Sequence, residues 1–163
     1  MSSEDYTRDE EEAWVASERD KIVAYLVTQG VDHLGVGGWP AFHLYPHFAI
    51  WAVQSKKWPG SIGWWAIGGD MPTDYMSGDG VRHPRKAMEH FSRQWAEVSD
   101  CMYRGETHPG TKIGNKEVWP ELAPLLKIRS ELLGEFAAND DLWAGHEEER
   151  AKLAARFESD RQQ

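Results

Sequence analysis

The chain has 163 residues, a formal net charge of −9, nine tryptophans and a single cysteine, Cys101. This length fits one domain with one hydrophobic core, and one cysteine excludes both an intramolecular disulfide and a cluster of thiolate metal ligands within the chain. Because the net negative charge repels phosphate backbones, we expect no binding to nucleic acid and favour a basic protein as the partner.

The N-terminal sequence carries no targeting signal. The first 20 residues contain eight acidic and two basic side chains, and they lack the apolar run of a secretory signal and the arginine-rich composition of a transit peptide. No stretch of about 20 consecutive apolar residues occurs, so no membrane-spanning helix is predicted. We therefore expect a cytoplasmic protein that does not contact a membrane.

The first predicted element is a helix over residues 9–29, behind a frayed acidic terminus at 1–7. Acidic residues fill its first turn, where they meet the positive end of the helix dipole, and Gly30 follows as a left-handed C-terminal cap. Residues 31–47 are rich in glycine and proline and are predicted to be mostly loop. A short edge strand at 41–45 is compatible with this composition.

The central segment predicts a β-hairpin. Residues 48–55 and 61–68 carry apolar side chains on both alternating faces, which is typical of strands covered on two sides. Pro59 and Gly60 between them suit a type II turn. The predicted fold is a single α+β domain, 1–163, in which a small antiparallel sheet is packed by three to four helices and most tryptophans lie in the core.

Three helices are predicted after the sheet. The first begins at Pro84 and ends near Tyr103, because its apolar residues recur at spacings of three and four. The second is regular from about Glu121, and we expect it to be well buried because apolar residues surround it. They are Leu122, Leu125, Leu126, Ile128, Leu132, Leu133 and Phe136. The last, at 142–159 behind the capping residue Asp141, has a thin apolar stripe and is expected to be peripheral and available to a partner.

The polar segment after the second strand most resembles a binding site. Carboxylates, a hydroxyl and a phenol follow a pair of tryptophans there, and a histidine and an arginine come next at a helix start, where backbone amides attract anions. An indole face stacks on rings, while carboxylates bind hydroxyls or cations. The predicted ligand-binding residues are Trp64, Trp65, Asp70, Thr73, Asp74, Tyr75, His83 and Arg85.

A structural interpretation of the same residues is also open, and we favour it. In that interpretation Asp70 and Thr73 bind amides of their own loop, as is typical of Asx and Ser/Thr turns. Arg85 would pair with Asp70 or Asp74 and hold the loop, since its planar guanidinium suits a carboxylate. The tryptophans would then serve only the core.

No sequence motif indicates catalysis, a metal or a cofactor. His43 and His47 are four residues apart, and His83 and His90 could add ligands, but Pro46 opposes a helix there and no HExxH string occurs. The glycine-rich stretch before these residues lacks the nucleotide-binding fingerprints. We predict no catalytic residue, no metal site and no cofactor.

Four strings resemble a known family. They are YLVTQGVDH, IWAVQSKKWPGSIGWWAIGGDMPTDYM, HPRKAMEHFSRQW and LLKIRSELLGEFAANDDLW. With them the chain resembles the DUF4826 family of small bacterial proteins, a domain of unknown function, from about Trp14 to Trp143. The resemblance implies one domain with a helix, a small sheet and further helices, and it implies no catalytic residue.

Two functions fit these observations. The first is a non-enzymatic protein-binding or inhibitor module of the bacterial cytoplasm, similar in role to an immunity protein that neutralises a toxin, acting as a monomer or homodimer. The alternative is an enzyme or small-ligand-binding protein whose pocket is formed at the GGDMPTDY loop.

Overall fold

A computed structural model of the chain describes residues 3–109 and 115–161, with the backbone alone at 3–7 and 156–161. It contains an antiparallel sheet of five strands and four α-helices within these ranges. In chain order the elements are α1 (Ser3–Thr28), β1 (Gly35–Val36), β2 (Phe42–Leu44), β3 (Phe48–Gln54), β4 (Ile62–Gly69), β5 (Asp74–Ser77), α2 (Pro84–Tyr103), a 3-10 turn (Lys116–Val118), α3 (Trp119–Ala138) and α4 (Asp140–Arg161). The predicted α+β fold is confirmed.

The sheet is built around the predicted hairpin. β3 and β4 pair along their whole length, with Trp51 opposite Ala66, and their bounds agree with the predicted strands to within one residue. Gly60 in the connecting turn has φ +89°, the positive value that a type II turn requires at its second central position. β5 pairs with the free side of β4, while β1 and β2 both pair with the free side of β3.

Helices cover both faces of the sheet. α1 lies on one face, and its buried side chains contact alternate residues of β3 and β4. This cluster contains Val15, Ile22, Leu26, Val36, Ala49, Trp51, Val53 and Ala66. α2, α3 and the start of α4 lie on the other face. The largest side chains that are fully buried there are Phe42, Phe48, Ile50, Trp65, Ile67, Met88, Phe91, Trp95 and Leu133. Because helices cover both faces of the sheet, β3 and β4 carry apolar residues on both of their faces.

α2 extends over the predicted residues, Pro84–Tyr103. Its first turn accepts a proline because the amide at that position has no partner within the helix, and the His83 Nδ1 accepts a hydrogen bond from the Arg85 backbone N–H at 3.1 Å. Gly105, with φ +69°, follows its end. Both helix ends are therefore encoded by local sequence.

Serine side chains join α2 to α3. The Ser99 hydroxyl donates to the Ala123 carbonyl at 2.8 Å, and the Ser92 hydroxyl donates to the Ser130 carbonyl at 2.7 Å. Small side chains at these positions let the two helices approach closely while their hydroxyls stay hydrogen-bonded. α2 consequently packs on the sheet and on α3 at once.

One strand was missed by the sequence prediction. Asp74–Ser77 forms β5, whereas the sequence predicts a polar loop and a flexible connection over these residues. Aspartate, glycine and serine around it are typical of turns, and only pairing with β4 makes the segment a strand. The predicted edge strand at 41–45 is present as β2, at Phe42–Leu44.

Three helix starts also differ from the prediction. α1 begins at Ser3, so its backbone is helical over residues 3–7, where a frayed terminus was predicted. α3 begins at Trp119, before the predicted start, because Pro120 is tolerated in a first turn. α4 begins at Asp140, and its first turn is capped by Asn139, whose Oδ1 accepts from the Leu142 backbone N–H at 3.1 Å. The predicted cap, Asp141, lies inside the helix. No helix within the described ranges is both long enough and apolar enough to cross a lipid bilayer.

Candidate functional site

Four predicted ligand residues alternate between the two faces of the sheet. Trp64 and Tyr75 lie on the α1 side, where their rings meet edge to face with centroids 6.0 Å apart. Trp65 and Asp74 point to the α2 side. Since the sheet separates the two pairs, they do not line one common pocket. Their role in ligand binding stays a prediction.

Asp74 fastens β5 to α2. Its side chain is buried, with 8% of the residue exposed. One carboxylate oxygen accepts a hydrogen bond from the Trp95 indole N–H at 2.9 Å, and the other accepts from the Tyr75 backbone N–H at 2.8 Å. Burial raises the pKa of the Asp74 carboxyl, and these two hydrogen bonds offset part of that rise. Both oxygens already have donors, which supports a structural role.

The neighbouring phenol is unsuited to proton transfer near neutral pH. Burial, together with the charge of Asp74 and the nearby Tyr75, raises the pKa of Tyr25 to about 12. The Tyr25 and Tyr75 rings meet edge to face with centroids 6.1 Å apart. Tyr25 therefore stays protonated and contributes an aromatic contact between α1 and the edge of the sheet.

The other residues of the segment also separate. The Trp65 indole N–H is buried and donates to the Val81 carbonyl at 2.8 Å. Asp70 is exposed and its carboxylate lies 3.6 Å from the His47 Nδ1. Thr73 is exposed. The expected bonds of Asp70 and Thr73 side chains to amides of their own loop are absent from the described residues; in this segment it is Asp74 that bonds a local amide.

His83 and Arg85 do lie together, at the start of α2. The Arg85 guanidinium donates to the Ala137 carbonyl at 2.7 Å and to the Asp140 carboxylate at 2.6 Å, and it lies 5.8 Å from the Trp143 ring. The expected pairing of Arg85 with Asp70 or Asp74 is therefore wrong. Arg85 connects the start of α2 to the corner between α3 and α4. This corner lies next to Arg85 in space, although it is more than 50 residues away in sequence.

The two ring nitrogens of His83 are both engaged. Nδ1 accepts from the Arg85 amide, so Nε2 carries the proton that faces the Glu147 carboxylate at 2.9 Å. This hydrogen bond from His83 lowers the pKa of the Glu147 carboxyl. With its acceptor nitrogen bound to a backbone N–H, His83 joins α2 to α4 and is not placed to act as a general base.

A surface cleft of about 540 Å³ lies between the first turn of α2 and α4. Acidic and basic side chains line it around the indole ring of Trp143. Its lining includes His83, Arg85, Lys86, Asp140, Trp143 and Glu147. Of the predicted ligand residues, the cleft contains His83 and Arg85 alone. The sequence could not indicate it, because α2 and α4 are more than 30 residues apart along the chain.

Two further histidines, His43 and His146, lie outside the set of predicted ligand residues. His43 Nε2 is 2.7 Å from the Glu11 carboxylate, which joins β2 to α1. His146 on α4 packs on the rings of Phe42 and Trp143, at centroid distances of 5.2 and 5.3 Å. Burial, with Arg150 and neighbouring histidines, lowers the pKa of His146, and Glu147 partly opposes this. No local pattern reveals the contacts of His43 with Glu11 and of His146 with Phe42, since their members are distant in sequence.

The histidines do not converge on a metal site. In the described part of the chain, no three His, Cys, Asp or Glu side chains come together in a way that could hold a metal ion. The His43 side chain contacts the Glu11 carboxylate, while the His47 side chain contacts the Asp70 carboxylate. The two residues with helical spacing in the sequence therefore have different partners, because they lie on either side of a bend and not on a helix.

The outer face of α3 exposes apolar side chains. Leu125 and Ile128, one turn apart, are 56% and 57% exposed, so the expectation that all apolar residues of this helix are buried is wrong for them. α2 and the core cover only the opposite side of the helix, through residues such as Leu126 and Leu133. We call Glu121, Leu125, Ile128, Leu132 and Glu135 the α3 outer face, because they lie along one side of the helix; four of them are exposed, and Leu132 is half-buried at the edge of the core.

A family model described as a domain of unknown function (DUF4826) matches residues 8–143. The match extends from α1 to the first turn of α4, so the rest of α4 lies outside it. It confirms the resemblance seen in the sequence over almost the same residues. No curated protein and no solved structure matches the chain.

Proposed function

The chain belongs to the DUF4826 family, whose description assigns no activity, and from that premise we propose that it is a non-enzymatic protein-binding module of the bacterial cytoplasm. The single observation that carries this proposal is the α3 outer face, where two aliphatic side chains are more than half exposed. The partner we propose is a basic protein, and inhibition of that protein is the proposed outcome of binding.

The apolar centre of the α3 outer face lies outside the hydrophobic core. Leu125 and Ile128 belong to neither core cluster. Leu132, which follows on the same line, is half-buried and extends the apolar strip toward the core. Isolated exposed apolar residues are common on proteins, whereas a continuous strip of them is typical of a contact surface.

Acidic residues at both ends of the α3 outer face favour a basic partner. Glu121 lies one turn before Leu125 and Glu135 lies two turns after Ile128, and both are exposed. An amphipathic segment that buries its apolar residues on the strip would place its flanking lysines or arginines against these carboxylates. The formal net charge of −9 attracts the same kind of partner at longer range.

A photo-reactive amino acid at position 128 tests the proposal. It is placed there in cells that naturally produce the protein, and in a control at Val27, which is 70% exposed. We expect position 128 to cross-link to one basic protein, and we expect Leu125→Glu to abolish the cross-link, because a buried carboxylate opposes an apolar contact. If the captured protein is an enzyme, its activity is measured with increasing amounts of this chain. Stoichiometric loss of activity indicates an inhibitor, and unchanged activity indicates an adaptor.

Three outcomes would contradict this proposal. Equal labelling from positions 128 and 27 would show that the contact is not specific to the α3 outer face. Cross-linking to an acidic protein would contradict the charge complementarity. Cross-linking to a second copy of the same chain would show that this face serves self-association instead.

The cleft beside α2 favours a second function, the binding of a small molecule that carries both charges. Lys86 offers an ammonium group, Glu147 a carboxylate and Trp143 an aromatic ring around one space. A small zwitterion such as an amino acid would match this combination of groups. Two predicted ligand residues, His83 and Arg85, help to form the wall of the cleft.

Filling the cleft separates the two functions. Ala144 lines it and is exposed, so Ala144→Trp would occupy the space without disturbing the core. Ala151→Trp, farther along α4, is the matched control. In a thermal-shift screen with amino acids, a hit that disappears with the first variant and persists with the second would establish the cleft as a ligand site. The absence of any hit would remove this second function.

A further inference from the structure

A second cleft, of about 460 Å³, lies near the β3–β4 turn, where β1, β3 and the start of β4 run side by side. Its volume falls within the range of sites that hold small molecules. We call it the sheet-end cleft. Little side-chain bulk covers its lining, because Gly35, Gly37 and Gly60 have no side chain and Ala52 has only a methyl group. A ligand can therefore lie directly against the strands.

The sheet-end cleft combines apolar side chains with few polar ones. Leu34 and Ile62 contribute aliphatic groups. Leu34 is 51% exposed, and its backbone N–H donates to the Gln54 carbonyl at 3.1 Å, which holds the residue beside β3. The polar side chains of the described lining are those of Gln54, Ser61 and Arg19. The cleft thus offers an apolar surface next to a single charged group.

The guanidinium of Arg19 is held in place by two backbone carbonyls. Its Nε donates to the Gly37 carbonyl at 3.0 Å, and its Nη2 donates to the Val36 carbonyl at 2.7 Å. These bonds leave both N–H groups of Nη1 and the second N–H of Nη2 for another acceptor. Two parallel N–H groups of a guanidinium match the two oxygens of a carboxylate. Arg19 is therefore already positioned for an anion.

The charge of Arg19 is not balanced by a neighbouring carboxylate. Three and four residues away on either side along α1 are Val15, Ala16, Ile22 and Val23, so no acidic residue shares its side of the helix. Among the described residues Arg19 forms no ion pair, and none of those that line the sheet-end cleft is acidic. A half-buried cation without a counter-charge favours an anionic ligand, even though the formal net charge of the chain is −9.

We propose that the sheet-end cleft binds a small molecule with one carboxylate and an apolar body. The remaining N–H groups of Arg19 bind both oxygens of the carboxylate, and the body lies along the strands beside Leu34 and Ile62. A zwitterion fits less well, because no acidic side chain of the described lining could receive its ammonium group. The sheet-end cleft shares no residue with the α3 outer face or with the cleft beside α2, so the inference is independent of both proposed functions.

Titration of benzoate into the full chain, followed by NMR of the backbone amides, tests this site. We expect the amide signals of Gly35, Gly37 and Gly60 to shift, and the signal of Ala144 in the cleft beside α2 to stay unchanged. Benzamide has the same ring without the charge. We expect it to bind at least about tenfold more weakly, because a charge-assisted hydrogen bond is stronger than a neutral one. Octanoate, which has a different apolar body and the same carboxylate, is the second probe.

Gln54→Glu tests the sheet-end cleft without removing the hydrogen bonds of Arg19. Gln54 lines the cleft and is exposed, so a carboxylate there should repel the carboxylate of the ligand. We expect Gln54→Glu to abolish the benzoate shifts and to leave thermal unfolding unchanged. Gln29→Glu, the same substitution at an exposed residue outside the cleft, is the matched control and should bind benzoate as the natural chain does.

Arg19→Gln should also abolish binding, and thermal unfolding verifies that this variant stays folded, because the Val36 and Gly37 carbonyls lose their donor. The absence of shifts with both benzoate and octanoate would overturn the proposal. Equal binding of benzoate and benzamide would overturn it as well, because the charge would then not be recognised. So would benzoate binding that survives Gln54→Glu, because the ligand would then lie elsewhere.

Discussion

Asp74 is buried, whereas the apolar residues of the α3 outer face are exposed. The sequence around each suggests the opposite. Asp74 belongs to a polar, turn-like segment but is 8% exposed, and both of its carboxylate oxygens accept hydrogen bonds from N–H groups. Leu125 and Ile128 belong to an apolar helix but are 56% and 57% exposed. A polar residue with all its partners inside the fold stabilises that fold. Apolar residues without partners inside it are available for a partner outside.

The largest expected effect concerns two tryptophans in different environments. Trp65→Ala should destabilise the protein by about 3–5 kcal/mol, because it empties a core position and removes the donor to the Val81 carbonyl. Trp58→Ala, at a residue that is 66% exposed, should stay within about 0.5 kcal/mol. Denaturant unfolding measures both. Equal losses would show that exposure does not separate the structural tryptophans from the others.

A second pair sharpens the comparison within the polar segment. Asp74→Ala should cost about 1–3 kcal/mol, since it leaves the Trp95 indole N–H and the Tyr75 amide without acceptors. Asp70→Ala, with an exposed side chain, should have a negligible effect. Chemical denaturation of the two variants provides the measurement. If Asp74→Ala is as stable as the natural protein, the carboxylate has no structural role, and the ligand-site hypothesis for Asp74 is favoured instead.

The third expectation concerns the join between α2 and the α3–α4 corner. Arg85→Ala should cost about 1–2 kcal/mol, because it removes hydrogen bonds to the Ala137 carbonyl and to Asp140. Its exposed neighbour Arg82 supplies the matched control, and Arg82→Ala should leave the unfolding midpoint unchanged. Thermal unfolding compares the two variants. A loss of stability in the control and not in Arg85→Ala would contradict the geometry.

The smallest expected effect is a pH dependence. Burial lowers the pKa of His146 in the folded state, whereas an unfolded histidine titrates near about 6.5. As the pH falls through that value, the unfolded state binds a proton that the folded state resists, so the free energy of unfolding decreases. Between pH 7.5 and 5.5 we expect a smaller decrease in His146→Gln than in the natural chain. Parallel pH profiles would show that His146 does not contribute.

Elements with local signals could be predicted from the sequence. α2 has a proline and a histidine cap at its start, a glycine after its end and an apolar face at helical spacing, and its bounds were predicted correctly. The hairpin has Pro59 and Gly60 between two apolar runs. These signals lie within a few residues of the structure that they specify, so sequence spacing is sufficient to find them.

Elements that depend on distant contacts could not be predicted. β5 is a strand because it pairs with β4, and its own residues are typical of a turn. The apolar residues of α3 do not reveal which side α2 will cover. His43 and Glu11 meet across 32 positions of the chain. The sequence also could not show that the sheet separates the predicted ligand residues, with Trp64 and Tyr75 on one face and Trp65 and Asp74 on the other.

One measurement tests the central claim most directly, that the α3 outer face binds a partner. It is a calorimetric titration of the cross-linked basic protein into the natural chain, into Leu125→Glu and into the control Val27→Glu. We predict unchanged thermal stability in all three, loss of binding with Leu125→Glu alone, and weaker binding to the natural chain at higher salt. Full binding by Leu125→Glu would contradict the account.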